Sequence, residues 1–208
     1  IPMAGVKICG ITRIEDGRAA AATGADAIGL VFYDRSPRNV LPALAAEISA
    51  ALPPFVTRVA LFVNPTGDAV EAVLRQVRPD VLQFHGEESP DFCRGFGMPY
   101  LKAARVKPGV DLLQFATSHA DAQGLLLDAW HEDAHGGTGE RFDWALIPPD
   151  LPRPVILAGG LHPGNVAEAI RATRPWAVDV SSGVEAAKGI KDAAKMASFI
   201  KEVRNADV

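Results

Sequence analysis

Eight short apolar runs punctuate the chain: Val6–Cys9, Ala27–Phe32, Arg58–Val63, Val81–Phe84, Tyr100–Ala104, Leu125–Leu127, Val155–Leu157 and Ala177–Val180. Most are continuously apolar instead of alternating, the pattern of parallel strands covered on both faces. Helical patterns lie between them. Asp16–Thr23 is Ala-rich and stops at Gly24, and Pro42–Ala51 carries Leu44 and Ile48 four apart. Asp68–Val77 puts Val70, Val73, Leu74 and Val77 on one face, and Ser89-Pro90 supplies a cap and first turn for Asp91–Gly95. Pro163–Arg171 and Asp192–Val203 follow, the latter with a stripe of Met196, Phe199, Ile200 and Val203. Spread over 208 residues, eight units give about 26 residues each (208/8), room for one strand, one helix and two short loops. This pattern predicts an α/β chain forming a single-domain (β/α)8 TIM barrel over residues 1–208, with Ile1-Pro2 ahead of Met3 set aside as a cloning remnant. A doubly wound open sheet would leave edge strands more polar than any of these eight.

In a barrel, side chains at the C-terminal ends of the strands share one mouth. Strand one delivers Cys9 there, just before Gly10 breaks the run, although a cysteine in an apolar strand is also a common core residue. After strand two comes the short basic loop Tyr33–Arg38. Strands three to five end at Asn64, at His85-Gly86-Glu87 and at Arg105, and strand six at Asp128. Strand seven ends in Gly159-Gly160 and strand eight in Asp179-Val180-Ser181-Ser182-Gly183. Small residues leading into helix N-termini favour an anion, and phosphate between the last two loops recurs in barrels. Asp128 closes the apolar run Gly124–Leu127, where partial desolvation would favour the protonated acid. The loop after it holds Gly136-Gly137-Thr138-Gly139, suited to closing over a ligand. His131 and His135 have a metal-like spacing, but that geometry needs a helix and this stretch is Gly-rich, so no metal is expected.

Composition narrows the partners. A net charge of −4 gives no nucleic-acid surface, no run approaches the length of a membrane helix, and two cysteines make neither a metal cluster nor a disulfide framework. A cytoplasmic protein acting on a small phosphorylated molecule is the expectation.

The motifs Lys7–Thr12, Gly29–Tyr33 with Ser36-Pro37-Arg38, Leu61–Asn64, Leu82–Glu87, Leu127-Asp128, Gly136–Gly139, Phe142-Asp143-Trp144, Leu157–Leu161 and Ala177–Glu185 run the length of the chain. In this set and order the sequence resembles the phosphoribosylanthranilate isomerase family of tryptophan biosynthesis. Phe84 where leucine is more usual, and Gly164 where glutamate often sits, are the departures, and neither touches reacting groups.

The resemblance implies an Amadori rearrangement of N-(5-phosphoribosyl)anthranilate to the 1-deoxyribulose 5-phosphate derivative, with no metal or organic cofactor. It implies Asp128 as general acid, Cys9 as general base and Arg38 as the grip on the anthranilate carboxylate. Gly159, Gly160, Ser181, Ser182 and Gly183 would hold the phosphate, Asp179 would orient that grip, and His85 would contact substrate. Gly137, Thr138 and Gly139 would close the loop, and the protein would work as a monomer or homodimer. Such a pair also implies that both catalytic groups are drawn towards neutrality. Related phosphosugar barrels would need metal-ligating His and Asp, or strand-end lysines with a Glu, while a non-catalytic phosphate-binding barrel would need neither Cys9 nor Asp128.

Overall fold

The computed structural model describes residues 3–129 and 144–206. Eight parallel strands close into a barrel in chain order: β1 (Gly5–Ile8), β2 (Ala27–Phe32), β3 (Thr57–Phe62), β4 (Val81–Phe84), β5 (Tyr100–Arg105), β6 (Gly124–Asp128), β7 (Val155–Ala158) and β8 (Ala177–Val180). The ring closes where β1 pairs with β8, Gly5 opposite Ala177 and Ile8 opposite Val180. Helices α1 (Ile14–Thr23), α2 (Pro42–Ala50), α3 (Gly67–Val77), α4 (Pro90–Arg94), α5 (Leu112–Ser118), α6 (Val166–Thr173) and α7 (Ala193–Ala206) surround it.

The sequence-predicted barrel is therefore the observed one, with local differences. Helix α5, whose apolar face of Leu112, Phe115 and Ala116 spans a single turn, is an addition to the predicted elements; Asp111 caps it by accepting from the Gln114 N–H. Between β6 and β7 the described residues hold a single 3-10 turn, Trp144–Leu146. Helix α6 begins three residues later than its proline suggests, because Asn165 Oδ1 accepts from His162 N–H and ties those residues into a turn. Strand β8 leads into a 3-10 turn (Ser182–Val184) and a small hairpin, β9 (Glu185–Ala187) with β10 (Ile190–Lys191), before α7 starts.

Outward-facing strand positions build the main core against the helices. Phe32, Phe62 and Phe84 stand in register on adjacent strands, their rings stacked 5.6 and 6.1 Å apart. The next residue in that row, Lys102, is buried and bonds to Glu88 at 3.0 Å and to the Gly86 carbonyl at 2.5 Å. Glu88 in turn accepts from the backbone N–H groups of Asn64 and Gly86, binding the loops after β3 and β4 to one another. The barrel interior is filled differently. Ala103, Leu126, Ile156 and Ala158 form one small apolar cluster, and Cys9, Val31 and Leu61 form another. Polar side chains take other inward positions, among them Lys7, Gln83 and Asp179.

His119, buried beside Phe115, has its Nδ1 without a partner. Burial holds its pKa down at about 4, below the ordinary 6.5, and Lys102 adds to the effect. The unfolded chain thus takes up this proton near pH 6.5 and the folded one only near 4, so stability is lost as pH falls through that window. Urea midpoints of wild type and His119→Gln should converge as pH is lowered from 7 to 4; a constant gap would remove His119 as a source of acid sensitivity.

Candidate functional site

Strand alternation carries chemistry to the mouth in steps of two. On β1, Lys7 points inward and Cys9 follows one level higher; on β8, Asp179 lies opposite Lys7 in register and Ser181 follows. Lys7 Nζ donates to Asp179 Oδ1 at 2.8 Å, with both side chains nearly shut off from solvent. Burial opposes the charge on Lys7, but Asp179 and the neighbouring Cys9 outweigh it and raise its pKa. Asp179 thus faces the barrel axis beneath Cys9.

Cys9 is only 6% exposed, more enclosed than an open-mouth position suggests. Burial pushes its thiol pKa up, against the opposing pull of the Lys7 and Lys191 ammonium groups. The expected drift towards neutrality is reversed: for a thiol, loss of water here exceeds what two paired cations return. Gly29 makes room for it, since a Cβ at that position would stand 2.6 Å from Sγ.

Asp128 ends β6 half-buried above the fully buried Leu125–Leu127, opposite Arg105 on β5. Together with Asn64, His85 and Gly86 they line a cleft of about 510 Å3. His85 Nδ1 lies 3.0 Å from Gln83 Nε2, and Gln83 is completely buried with its Oε1 unpartnered. The amide N–H therefore donates to Nδ1, leaving Nε2–H to point away from Gln83. Crowding by protein lowers the His85 pKa, Asp179 and Asp128 opposing that shift, so the ring is neutral at pH 7.

Arg38 is not a free fork. Its Nε and Nη2 donate to Glu185 Oε2 and Oε1 at 2.9 and 2.5 Å, and Lys191 Nζ donates to the same carboxylate at 3.0 Å. This group, with Glu185 and Lys191 buried and Arg38 half-buried, links the loop after β2 to the loop after β8.

In the last two βα loops, Gly159 and Gly160 adopt left-handed conformations, φ 93° and 62°. Gly183 packs on the other loop so closely that a Cβ would overlap the Leu161 carbonyl oxygen. Ser181 is half-buried, Ser182 exposed, and Lys191 Nζ reaches the Ser181 carbonyl at 3.1 Å. Small residues, unencumbered N–H groups and a nearby ammonium suit a phosphate ester. Sequence reasoning missed Lys7, Gln83, Glu185, Lys191 and the Glu88–Lys102 pair. Gly137, Thr138 and Gly139, with His131 and His135, lie outside the described residues. Among the described residues, no three His, Cys, Asp or Glu side chains converge as metal ligands would, and no helix is long and apolar enough to cross a membrane.

A profile of the family described as "N-(5'phosphoribosyl)anthranilate (PRA) isomerase" matches residues 6–202. The N-(5'-phosphoribosyl)anthranilate isomerase of Leptothrix cholodnii is 58% identical over 202 residues, covering 97% of this chain and 91% of that protein. That of Acidithiobacillus ferrooxidans is 59% identical over 204 residues, covering 98% and 99%. The crystal structure of phosphoribosyl anthranilate isomerase from Thermotoga maritima superposes with a TM-score of 0.89 at 42% identity, covering 98% of this chain and all of that one. A crystal structure of such an isomerase in complex with reduced 1-(o-carboxyphenylamino)-1-deoxyribulose 5-phosphate gives a TM-score of 0.86 at 41% identity, covering 98% of this chain and 100% of that one.

Gly183→Ala must separate the two loops, and losing even one charge-assisted hydrogen bond costs about 1.5–3 kcal/mol. A phosphate ester should bind at least tenfold more weakly to the folded variant by calorimetry, on the order of what such a loss implies. Unchanged affinity would remove these loops from the anion site.

Proposed function

The chain belongs to the N-(5'-phosphoribosyl)anthranilate isomerase family, isomerases of tryptophan biosynthesis, and from that premise we propose how its own residues carry the Amadori rearrangement. The observation that supports the assignment is the placement of Cys9 and Asp128. They occupy strand ends on β1 and β6, and the short arc between those strands is filled by β7 and β8, whose loops make the anion site. A ribose held by its 5-phosphate at that arc has an acid on one side and a base on the other.

Asp128 protonates the furanose ring oxygen as the anthranilate nitrogen lone pair moves in, breaking the C1–O bond and giving a Schiff base. The Cys9 thiolate then takes the proton from C2, and the electron pair of that C–H bond forms the C1–C2 double bond of an enolamine while the nitrogen recovers its lone pair. Tautomerisation delivers a proton to C1 and leaves the ketone at C2. No step requires an electron acceptor or a metal. Lys7 offsets the charge that develops on Cys9, and Asp179 keeps Lys7 beneath it. His85, neutral and held by Gln83, offers its Nε2–H to a sugar oxygen. Arg38 takes the anthranilate carboxylate, a planar anion matched to its planar fork. A cytoplasmic setting fits two free buried thiols.

A general acid or base contributes about 10²–10⁴ in rate. Cys9→Ala and Asp128→Asn should therefore each lower kcat on that order, read as the decay of phosphoribosylanthranilate fluorescence, while a product analogue still binds. Near-wild-type turnover by Cys9→Ala would remove the base.

The carboxylate grip acts on a group that does not react, so Arg38→Met should raise KM and spare kcat. Arg38→Lys should restore little of the loss, because an ammonium cannot reproduce a two-point contact. An unchanged KM in Arg38→Met would take Arg38 out of the site.

A further inference from the structure

The stem of Arg38 lies over Gly10, where a Cβ would stand 2.5 Å from Arg38 Cδ, and its guanidinium is near enough to Cys9 to feel its charge. A guanidinium has two edges that can bind a carboxylate side-on: Nε with Nη2, and Nη1 with Nη2. Glu185 occupies the first, at 2.9 and 2.5 Å. No described residue takes Nη1.

Glu185 is itself fixed. It opens β9 directly after the 3-10 turn of the anion loop, accepts from the Gly189 N–H at 3.2 Å, and bonds to Lys191 at 3.0 Å. Lys191 is completely buried and donates only to acceptors, the Ser181 carbonyl and hydroxyl and Glu185. One carboxylate shared by two cations leaves the cluster with a net positive charge. Arg38 is thus held in place without being neutralised, which answers how an arginine already in an ion pair can still attract an anion.

We propose that Glu185 is a positioning residue for carboxylate recognition: it clamps Arg38 by the Nε–Nη2 edge and leaves the Nη1 end to receive the carboxylate of the substrate's aromatic ring. The inference rests on the isomerase reading above. It differs in sign from the alternative, in which Glu185 competes with the substrate for Arg38. A clamp strengthens binding of the carboxylate; a competitor weakens it.

The test measures Kd for two ligands: the reduced product analogue, and its counterpart whose phenyl ring lacks the carboxylate. Glu185→Gln keeps the shape and removes the charge. It should weaken the carboxylate-bearing ligand by about tenfold or more, as loss of a charged hydrogen-bonded contact does. The counterpart should change by less than about twofold, the affinity for phosphate and sugar being set elsewhere. In turnover KM should rise while kcat stays within about twofold, since Arg38 acts on a non-reacting group. Because Glu185→Gln leaves Lys191 buried beside a neutral partner, the double variant Glu185→Gln/Lys191→Met is measured in parallel; loss of the Lys191 ammonium weakens both ligands through the phosphate, and the carboxylate-bearing one should still lose about tenfold more than its counterpart. Tighter or unchanged binding of the carboxylate ligand overturns the clamp, as does equal weakening of both ligands. Failure of the wild type to bind either ligand would remove the isomerase reading and the proposal with it.

Discussion

The ion pair between Lys7 and Asp179 lies at the seam where the barrel closes, and the site is built upward from it. The two residues are 172 positions apart in the chain and 2.8 Å apart in space. Two charges withdrawn from water gain little net stability by pairing, yet removing one partner alone costs about 3–5 kcal/mol. The pair therefore acts on register more than on stability: with Lys7 opposite Asp179, Cys9 and Ser181 come to the same rim one step higher. A slip of one residue would turn both out of the barrel. The same ammonium is the nearest positive charge to the thiol, so the contact that aligns the seam also limits how far burial suppresses ionisation of Cys9.

Other buried ion pairs cross-link the loops at the mouth. Arg38, Glu185 and Lys191 tie loop two to loop eight, and Lys102 with Glu88 ties loop three to loop four. Beside these, Ala103, Leu126, Ile156 and Ala158 make an apolar cluster inside the barrel. Ion pairs that cross-link the loops hold polar side chains rigidly in a mouth open to solvent, as is common in folds that carry sites on loops over a fixed scaffold.

How much of this was legible in the sequence follows from what each signal records. The eight strands were visible because their outward positions are apolar almost throughout, Lys102 being an exception, and Cys9 and Asp128 because each ends such a run. Lys7 and Gln83 were obscured for the same reason: single polar residues within runs read as apolar look like interruptions until inward and outward positions are separated. Arg38 was visible as a basic residue in a loop, but its partner lies 147 residues away and is brought near only by barrel closure. Helix α5 and the β9–β10 hairpin escaped notice because a seven-residue helix and strands of three and two residues are too short to show a period. The direction of the Cys9 shift needed a measure of burial that sequence does not contain.

The mechanism requires Cys9 to ionise at the substrate site, and thiol alkylation reads that ionisation. Iodoacetamide applied across a pH series, with the modified peptide identified by mass, should label Cys9 before the fully buried Cys93. The rate should rise with pH through a midpoint above the ordinary thiol value of 9.0, and the reduced product analogue should suppress it. Labelling of Cys93 first, or labelling of Cys9 that the analogue leaves unchanged, would make Cys9 a core residue and contradict the mechanism.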